Sequence, residues 1–236
     1  MPPTVPGMTS DIVLLAGLWL RRSVWDRVAA DLARAGHRPV MPALPGVDDD
    51  RRGVDLDDQL TAVLAAVDAT TRPVVVGHSA AATLAWLVAD RRPEQVRRVV
   101  LIGGFPGTDG SPYFDAFPVQ DGVVPFPGWE PFEGADVRAL DATTREAVAA
   151  GAVPVPGGVA QGVVHLRDPR RHAVPVTVVC PEFGPDDARG WVAGGQVPEL
   201  AGTADVSYVD IDSGHWPMLT RPADLARLLG TIATEG

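Results

Sequence analysis

The chain has 236 residues, 46% of them hydrophobic, with a formal net charge of −10. That length and apolar content describe one globular domain with a two-sided core and exclude a disordered chain. The acidic balance excludes nucleic acid and anionic membrane as expected partners, because phosphate recognition requires a basic face.

Residues 1–10 are rich in proline and read as a loose lead-in, with Met8 as a second possible start. Met1 to Gly7 lacks the charged and apolar regions of a signal peptide. No apolar run approaches the roughly 20 residues of a membrane span, so a cytoplasmic location is expected. Asp11-Ile12-Val13-Leu14-Leu15 predicts a buried parallel strand opening onto the loop Ala16-Gly17-Leu18-Trp19. Ser23 is expected to cap a helix running to about Ala35, with Val24, Val28 and Leu32 near helical spacing and Gly36 as the stop. His37 to Met41 predicts a second strand, with His37 exposed at the helix exit. The Asp-rich stretch Val47 to Gly53 reads as a solvated connection, and Leu56 to Ala69 as an amphipathic helix.

The most informative stretch follows. Val74-Val75-Val76 breaks into Gly77-His78-Ser79-Ala80-Ala81 and then into helix-forming residues to about Arg91. A β-branched strand, a sharp turn with small neighbours and a helix are what a nucleophile elbow requires, and Ser79 is the nucleophile on that reading. Arg98 to Ile102 is the next strand, closing on Gly103-Gly104. Strands alternating with helices imply an α/β architecture: a mainly parallel sheet of about six strands, covered on both faces.

The alternation breaks at Phe105. From there to about Asp168 the chain is rich in Pro, Gly and aromatics, with one helix expected over Asp141 to Ala150. A stretch of this length between sheet strands predicts a small cap inserted over a site. Its rings either line an apolar substrate pocket or only anchor the cap. Val174 to Cys180 resumes the sheet. Cys180, the one cysteine, allows no internal disulfide and reads as core filler. A helix over Asp187 to Val192, a strand over Val206 to Asp210 and a closing helix from Pro222 to about Ile232 complete the chain.

A serine hydroxyl attacks a carbonyl only with a base to take its proton and donors for the oxyanion that forms. His215, in the loop after the last strand, supplies the base. The donors are expected to be the backbone N–H groups of Ala80 and Leu18. Trp19 and Trp216 flank these loops and, with His78, Phe105, Trp129 and Phe183, are the candidate pocket residues. His165 and His172 bracket the cap's return. No histidine pairs with a second ligand at metal spacing, so neither metal nor other cofactor is expected.

With those parts placed, the chain resembles the α/β-hydrolase superfamily along nearly its whole length, and most specifically the small plant-type methylesterase and hydroxynitrile lyase branch. Ala16-Gly17-Leu18 resembles that family's His-Gly-x oxyanion loop, and Gly77-His78-Ser79-Ala80-Ala81 its elbow. Val179-Cys180-Pro181-Glu182 is similar to its acid-bearing strand end, and Gly214-His215-Trp216-Pro217-Met218-Leu219 to its histidine loop. Ala16 stands where histidine is usual, and Phe183 where the alignment puts the catalytic aspartate. The acid is therefore sought first at Glu182, next at Asp186, which also reads as a helix N-cap, and last at Asp109.

The resemblance implies a serine hydrolase acting on an ester, or a related carbonyl bond, of a small hydrophobic molecule. Two alternatives stand beside it: lyase or cyclase chemistry using the Ser-His pair as acid and base, and a ligand-binding member of the fold without turnover. A monomer or small homo-oligomer is expected.

Overall fold

The computed structural model describes residues 9–49 and 51–235. The reading of residues 1–8 as a loose lead-in, and of Asp50 within the solvated connection, lies outside the described residues. Strand β1 (Asp11–Leu15) leads through a 3-10 turn (Arg22–Trp25) into α1 (Asp26–Arg34), then β2 (Arg38–Val40), α2 (Leu56–Asp68), β3 (Val74–His78), α3 (Ala81–Arg91) and β4 (Arg98–Ile102). The segment beyond β4 contains β5 (Val123–Val124), α4 (Ala142–Gly151), β6 (Val155–Pro156) and α5 (Gly157–Ala160). The chain then rejoins the sheet as β7 (Val176–Cys180) and closes with α6 (Pro185–Ala193), α7 (Pro198–Ala201), β8 (Val206–Asp210), α8 (Pro217–Thr220) and α9 (Pro222–Thr234).

The main sheet has six strands in the order β2-β1-β3-β4-β7-β8, every pair parallel. Its residues alternate between two cores, as a period of two demands. Val13, Leu15, Val75, Val99, Leu101, Val176 and Val178 pack under α2 and α3. Ile12, Leu14, Val74, Val76, Val100, Ile102 and Val179 pack under α1 and α9. Burial on both faces explains why the strands read as unbroken apolar runs.

Several local expectations are corrected. Ser23 caps nothing: it sits exposed inside the 3-10 turn, and α1 begins only at Asp26. Ser10 is not loose, since its buried hydroxyl donates to the carbonyl of Ala233 at 2.8 Å and ties β1 to the closing helix. His37 is half-buried against Gly230, where burial pushes its pKa down. The Asp-rich connection is exposed over most of its described length, as expected, and is also folded back on itself: Asp48 accepts from the N–H of Leu44 at 2.8 Å, and Asp49 from that of Gly46 at 2.7 Å.

The segment between β4 and β7, expected as a cap, contains β5 and β6, which pair antiparallel, and α4, whose N-cap Asp141 accepts from the N–H of Thr144 at 2.7 Å. Its return is latched by the carboxylate of Asp90 at the end of α3. That carboxylate, buried, accepts from the N–H groups of Arg167 at 2.8 Å and Asp168 at 2.9 Å. Among the described residues no helix is long and apolar enough to cross a membrane.

Candidate active site

Ser79 follows β3 with φ +56°, a left-handed conformation that a side chain enters only under strain. Its N–H still donates to the carbonyl of Ile102 at 2.8 Å, so the turn starts from the sheet ladder itself. Small neighbours are a steric requirement here. A Cβ on Gly77 would lie 2.2 Å from the carbonyl oxygen of Ala81, and one on Gly104 2.4 Å from that of Ser79. The loop after β1 lies against the same residue, since a Cβ on Gly17 would be 3.0 Å from the Ser79 Cβ. Leu18 in that loop and Ala80 at the head of α3 donate their N–H to no backbone acceptor among the described residues.

The candidate acid, Glu182, and the candidate base, His215, follow β7 and β8 at the sheet's C-terminal edge. The imidazole Nδ1 of His215 lies 2.7 Å from Glu182 Oε1, with both side chains largely buried. Gly103, at φ +57°, is the floor beneath this pair: a Cβ there would be 3.1 Å from each carboxylate oxygen of Glu182 and from His215 Nδ1. Gly103 faces Glu182 and His215 while Gly104 faces Ser79. The two halves of the candidate site therefore meet across one dipeptide at the end of β4. The sequence reading passed over that dipeptide as a strand end; two glycines closing a strand beside the nucleophile strand were the signal available.

The other acids are elsewhere. The side chain of Asp186 is 98% exposed and pairs with Arg189, which removes it from the imidazole. It does not cap α6 either: Gly184 holds the N-cap, with Asp187 accepting its N–H at 3.1 Å. Asp109 accepts from the N–H of Leu166 at 2.8 Å and so joins the two ends of the cap.

His78 lies under the site and not in its wall, because it is only 1% exposed. Its Nε2 sits 2.8 Å from the carbonyl oxygen of His215, an acceptor that requires the proton on that nitrogen. Burial, and then the neighbouring His215, push its pKa down to about 3, so the ring stays neutral and keeps this bond. His165 is exposed, while His172 packs edge-on against Trp86 with its Nε2 3.7 Å from Glu199.

The candidate pocket residues divide into two ring clusters. Trp19, at φ +64°, is the hub of the first, meeting Phe114, Phe117, Phe126 and Phe132, while Trp129 joins Trp216 at 5.2 Å. The indole N–H of Trp19 donates to the carbonyl of Val124, and its own carbonyl accepts from Val153, so the cap grips the loop that carries Leu18. In this cluster the rings anchor the cap by packing on each other. Phe105 and Phe183 stack at 5.6 Å in the second cluster, directly after Gly104 and Glu182 and only half-buried.

The cap also reaches the base, which sequence reasoning missed. The N–H of His215 donates to the carbonyl of Asp136 at 2.8 Å, and Gly214 packs so closely that a Cβ would be 2.2 Å from that oxygen. The Asp136 carboxyl is pushed up by burial, with His215 opposing and Glu182 reinforcing the shift. Nothing in the Pro- and Gly-rich stretch around it has a periodicity that would have signalled this contact.

The solved structures with similar folds include an extracellular α/β-hydrolase from a Paenibacillus species, described as sharing structural and functional homology with tobacco Salicylic Acid Binding Protein 2. It is 19% identical, with 96% of this chain and 100% of that one covered at a TM-score of 0.78. A methylesterase from Arabidopsis is 14% identical, with 95% and 98% covered and a TM-score of 0.74. Tomato methylketone synthase I, in a variant complexed with β-ketoheptanoate, is 13% identical, with 96% and 98% covered and a TM-score of 0.74. At these identities the likeness is one of fold. Residues 12–228, which span the elbow, the acid loop and the histidine loop, match the alpha/beta hydrolase family, and the chain belongs to it.

Proposed function

We propose that this protein is a serine esterase that cleaves an ester of a small hydrophobic molecule, with Ser79 as nucleophile, His215 as base and Glu182 as acid. The observation that carries the reading is the 2.7 Å contact between His215 Nδ1 and Glu182 Oε1. With Nδ1–H donated to the carboxylate, the lone pair of the imidazole is on Nε2, the nitrogen that must take the serine proton.

Ser79 Oγ attacks the ester carbonyl carbon as its proton passes to Nε2. The oxyanion that forms is held by the N–H groups of Leu18 and Ala80. Collapse expels the alcohol, which takes the proton back from Nε2 and leaves an acyl-serine. Water then repeats the sequence and releases the acid. The carboxylate of Glu182 stabilises the imidazolium in both halves, and its burial strengthens that interaction. The half-buried rings of Phe105 and Phe183 support an apolar substrate.

The test is turnover of a graded series of aryl esters. The expected result is saturable hydrolysis that Ser79→Ala abolishes, with kcat/KM rising as the acyl chain lengthens over the first few carbons. Hydrolysis that survives Ser79→Ala would remove the proposal.

Lyase chemistry by the same pair is the second reading. One similar fold belongs to a methylketone synthase. The lyase reading predicts turnover of a β-keto acid or a related substrate with no acyl-serine intermediate, whereas the esterase predicts an acyl-serine trapped on quenching. The ligand-binding reading would gain weight only if no carboxylate reached the imidazole, and Glu182 lies 2.7 Å from it.

A further inference from the structure

Arg138 projects from the cap toward the main chain of both loops that carry the acid and the base. Its Nη2 donates to the carbonyl of Ser213 at 2.6 Å and to that of Pro181 at 3.2 Å, while Nη1 lies 3.5 Å from the Asp212 carboxylate. Ser213 stands two residues before His215, and Pro181 directly precedes Glu182. A single planar cation thus joins the backbones of the two loops beside the 2.7 Å contact between their side chains. Its own position is fixed from below, since Val137 and Leu140 are buried in the core under α1 and α9.

Arg138 also borders a cavity of about 410 Å³, lined by Pro181, Glu182, Phe183 and Asp210 among others. The guanidinium is a strut across the edge of that space. A lysine ammonium has donors enough for both carbonyls, but its flexible stem lacks the rigid, planar head that holds Nη2 between them. The arrangement differs from a surface ion pair: the principal acceptors are main-chain carbonyls, whose spacing sets where the imidazole and carboxylate meet.

We propose that Arg138 is a positioning residue, a strut from the cap that holds the acid loop and the histidine loop in register for catalysis. The inference rests on the reading of Ser79, His215 and Glu182 given above. On this view the cap helps assemble the site, in addition to covering it.

The experiment measures the rate at which a fluorophosphonate modifies Ser79 in the full-length protein, with kcat and KM for an aryl ester in parallel. Arg138→Ala should be phosphonylated about 10- to 100-fold more slowly, the order expected for a misplaced catalytic group. KM should change by less than about twofold, because no substrate contact is removed. Arg138→Lys should fall between the two. With its side chain 55% exposed, Arg138 leaves a vacancy open to solvent, so millimolar guanidinium should restore part of the rate in Arg138→Ala and none in Arg138→Lys.

A folded Arg138→Ala that reacts at the wild-type rate overturns the proposal. So does a loss that matches a fall in folded fraction by circular dichroism and that guanidinium leaves unchanged. If Arg138→Ala does not fold, Arg138→Gln takes its place, and a wild-type rate in that variant has the same consequence. Failure of the wild-type protein to react would overturn the nucleophile assignment itself, an outcome distinct from a reactive wild type with an equally reactive variant.

Discussion

The proposed nucleophile and the proposed base of this site are held by different physics. Ser79 is fixed by steric exclusion: a positive φ, a backbone N–H still in the sheet ladder, and neighbouring backbone that leaves no room for a Cβ at Gly77 or Gly104. His215 is fixed by hydrogen bonds from three separate regions, with its N–H on the cap at Asp136, its carbonyl on His78 in the elbow, and its imidazole on Glu182. Close-packed backbone cannot yield, whereas polar contacts can be weakened one at a time. The nucleophile half should therefore respond to substitution through folding, and the base half through rate.

The largest effect expected is on the base half. Glu182→Gln keeps the shape but removes the charge, and should lower kcat by about three to four orders of magnitude, whereas Asp186→Asn should leave it unchanged. Stopped-flow kinetics of the two variants would separate them, and equal activities would contradict the acid assignment.

The adjacent glycines then sharpen the contrast. Gly104→Ala drives a methyl into the Ser79 carbonyl at 2.4 Å and should destabilise the fold by about 3 kcal/mol or more, read from urea unfolding. Gly103→Ala meets the movable ends of Glu182 and His215 at 3.1 Å, together with the strain of φ +57°. It should cost only about 1–2 kcal/mol in stability yet lower kcat about tenfold or more. Identical stability losses with no difference in rate would erase the distinction between the halves.

An effect confined to acid pH, and absent at pH 7, is expected through His78. Its pKa is depressed in the folded protein to about 3, against 6.5 in the unfolded chain, so the unfolded state binds the extra proton between those values. Stability from this residue is fully present above pH 6.5 and is lost as pH falls toward 3, at a slope approaching ~1.4 kcal/mol per pH unit. Unfolding of wild type and His78→Gln at pH 7 and pH 4.5 should show a shallower acid loss in the variant. Parallel curves would place the proton uptake elsewhere.

The same contrast explains what the sequence could tell. Asp11–Leu15 and Arg98–Ile102 were legible as strands to the residue, because burial on both faces leaves a nearly uninterrupted β-branched or apolar run, whereas the edge strand Val206–Asp210, only half-buried, was legible from its β-branched and aromatic residues. The elbow was legible because its steric demands are local, written in Gly77 and Ala81 beside Ser79. Glu182 could be ranked above Asp186 by its place at a strand end, but the contact with His215 lies 33 residues away and is decided by tertiary packing. The cap was legible only as a break in alternation. Asp136 and Arg138 act through backbone contacts that no spacing of side-chain types encodes, so their bearing on His215 was invisible. His37 was misjudged as exposed for a related reason: the closing helix that covers it arrives from the far end of the chain.

The central claim is that a strained Ser79 is activated by an imidazole delivered from the loop after β8. Fluorophosphonate labelling followed by peptide mass spectrometry tests it most directly. The account predicts a single phosphonate adduct on the peptide containing Ser79 in the wild-type protein, and its loss in a folded His215→Ala variant. An adduct on a different residue, or equal labelling of Ser79 with and without His215, would contradict it.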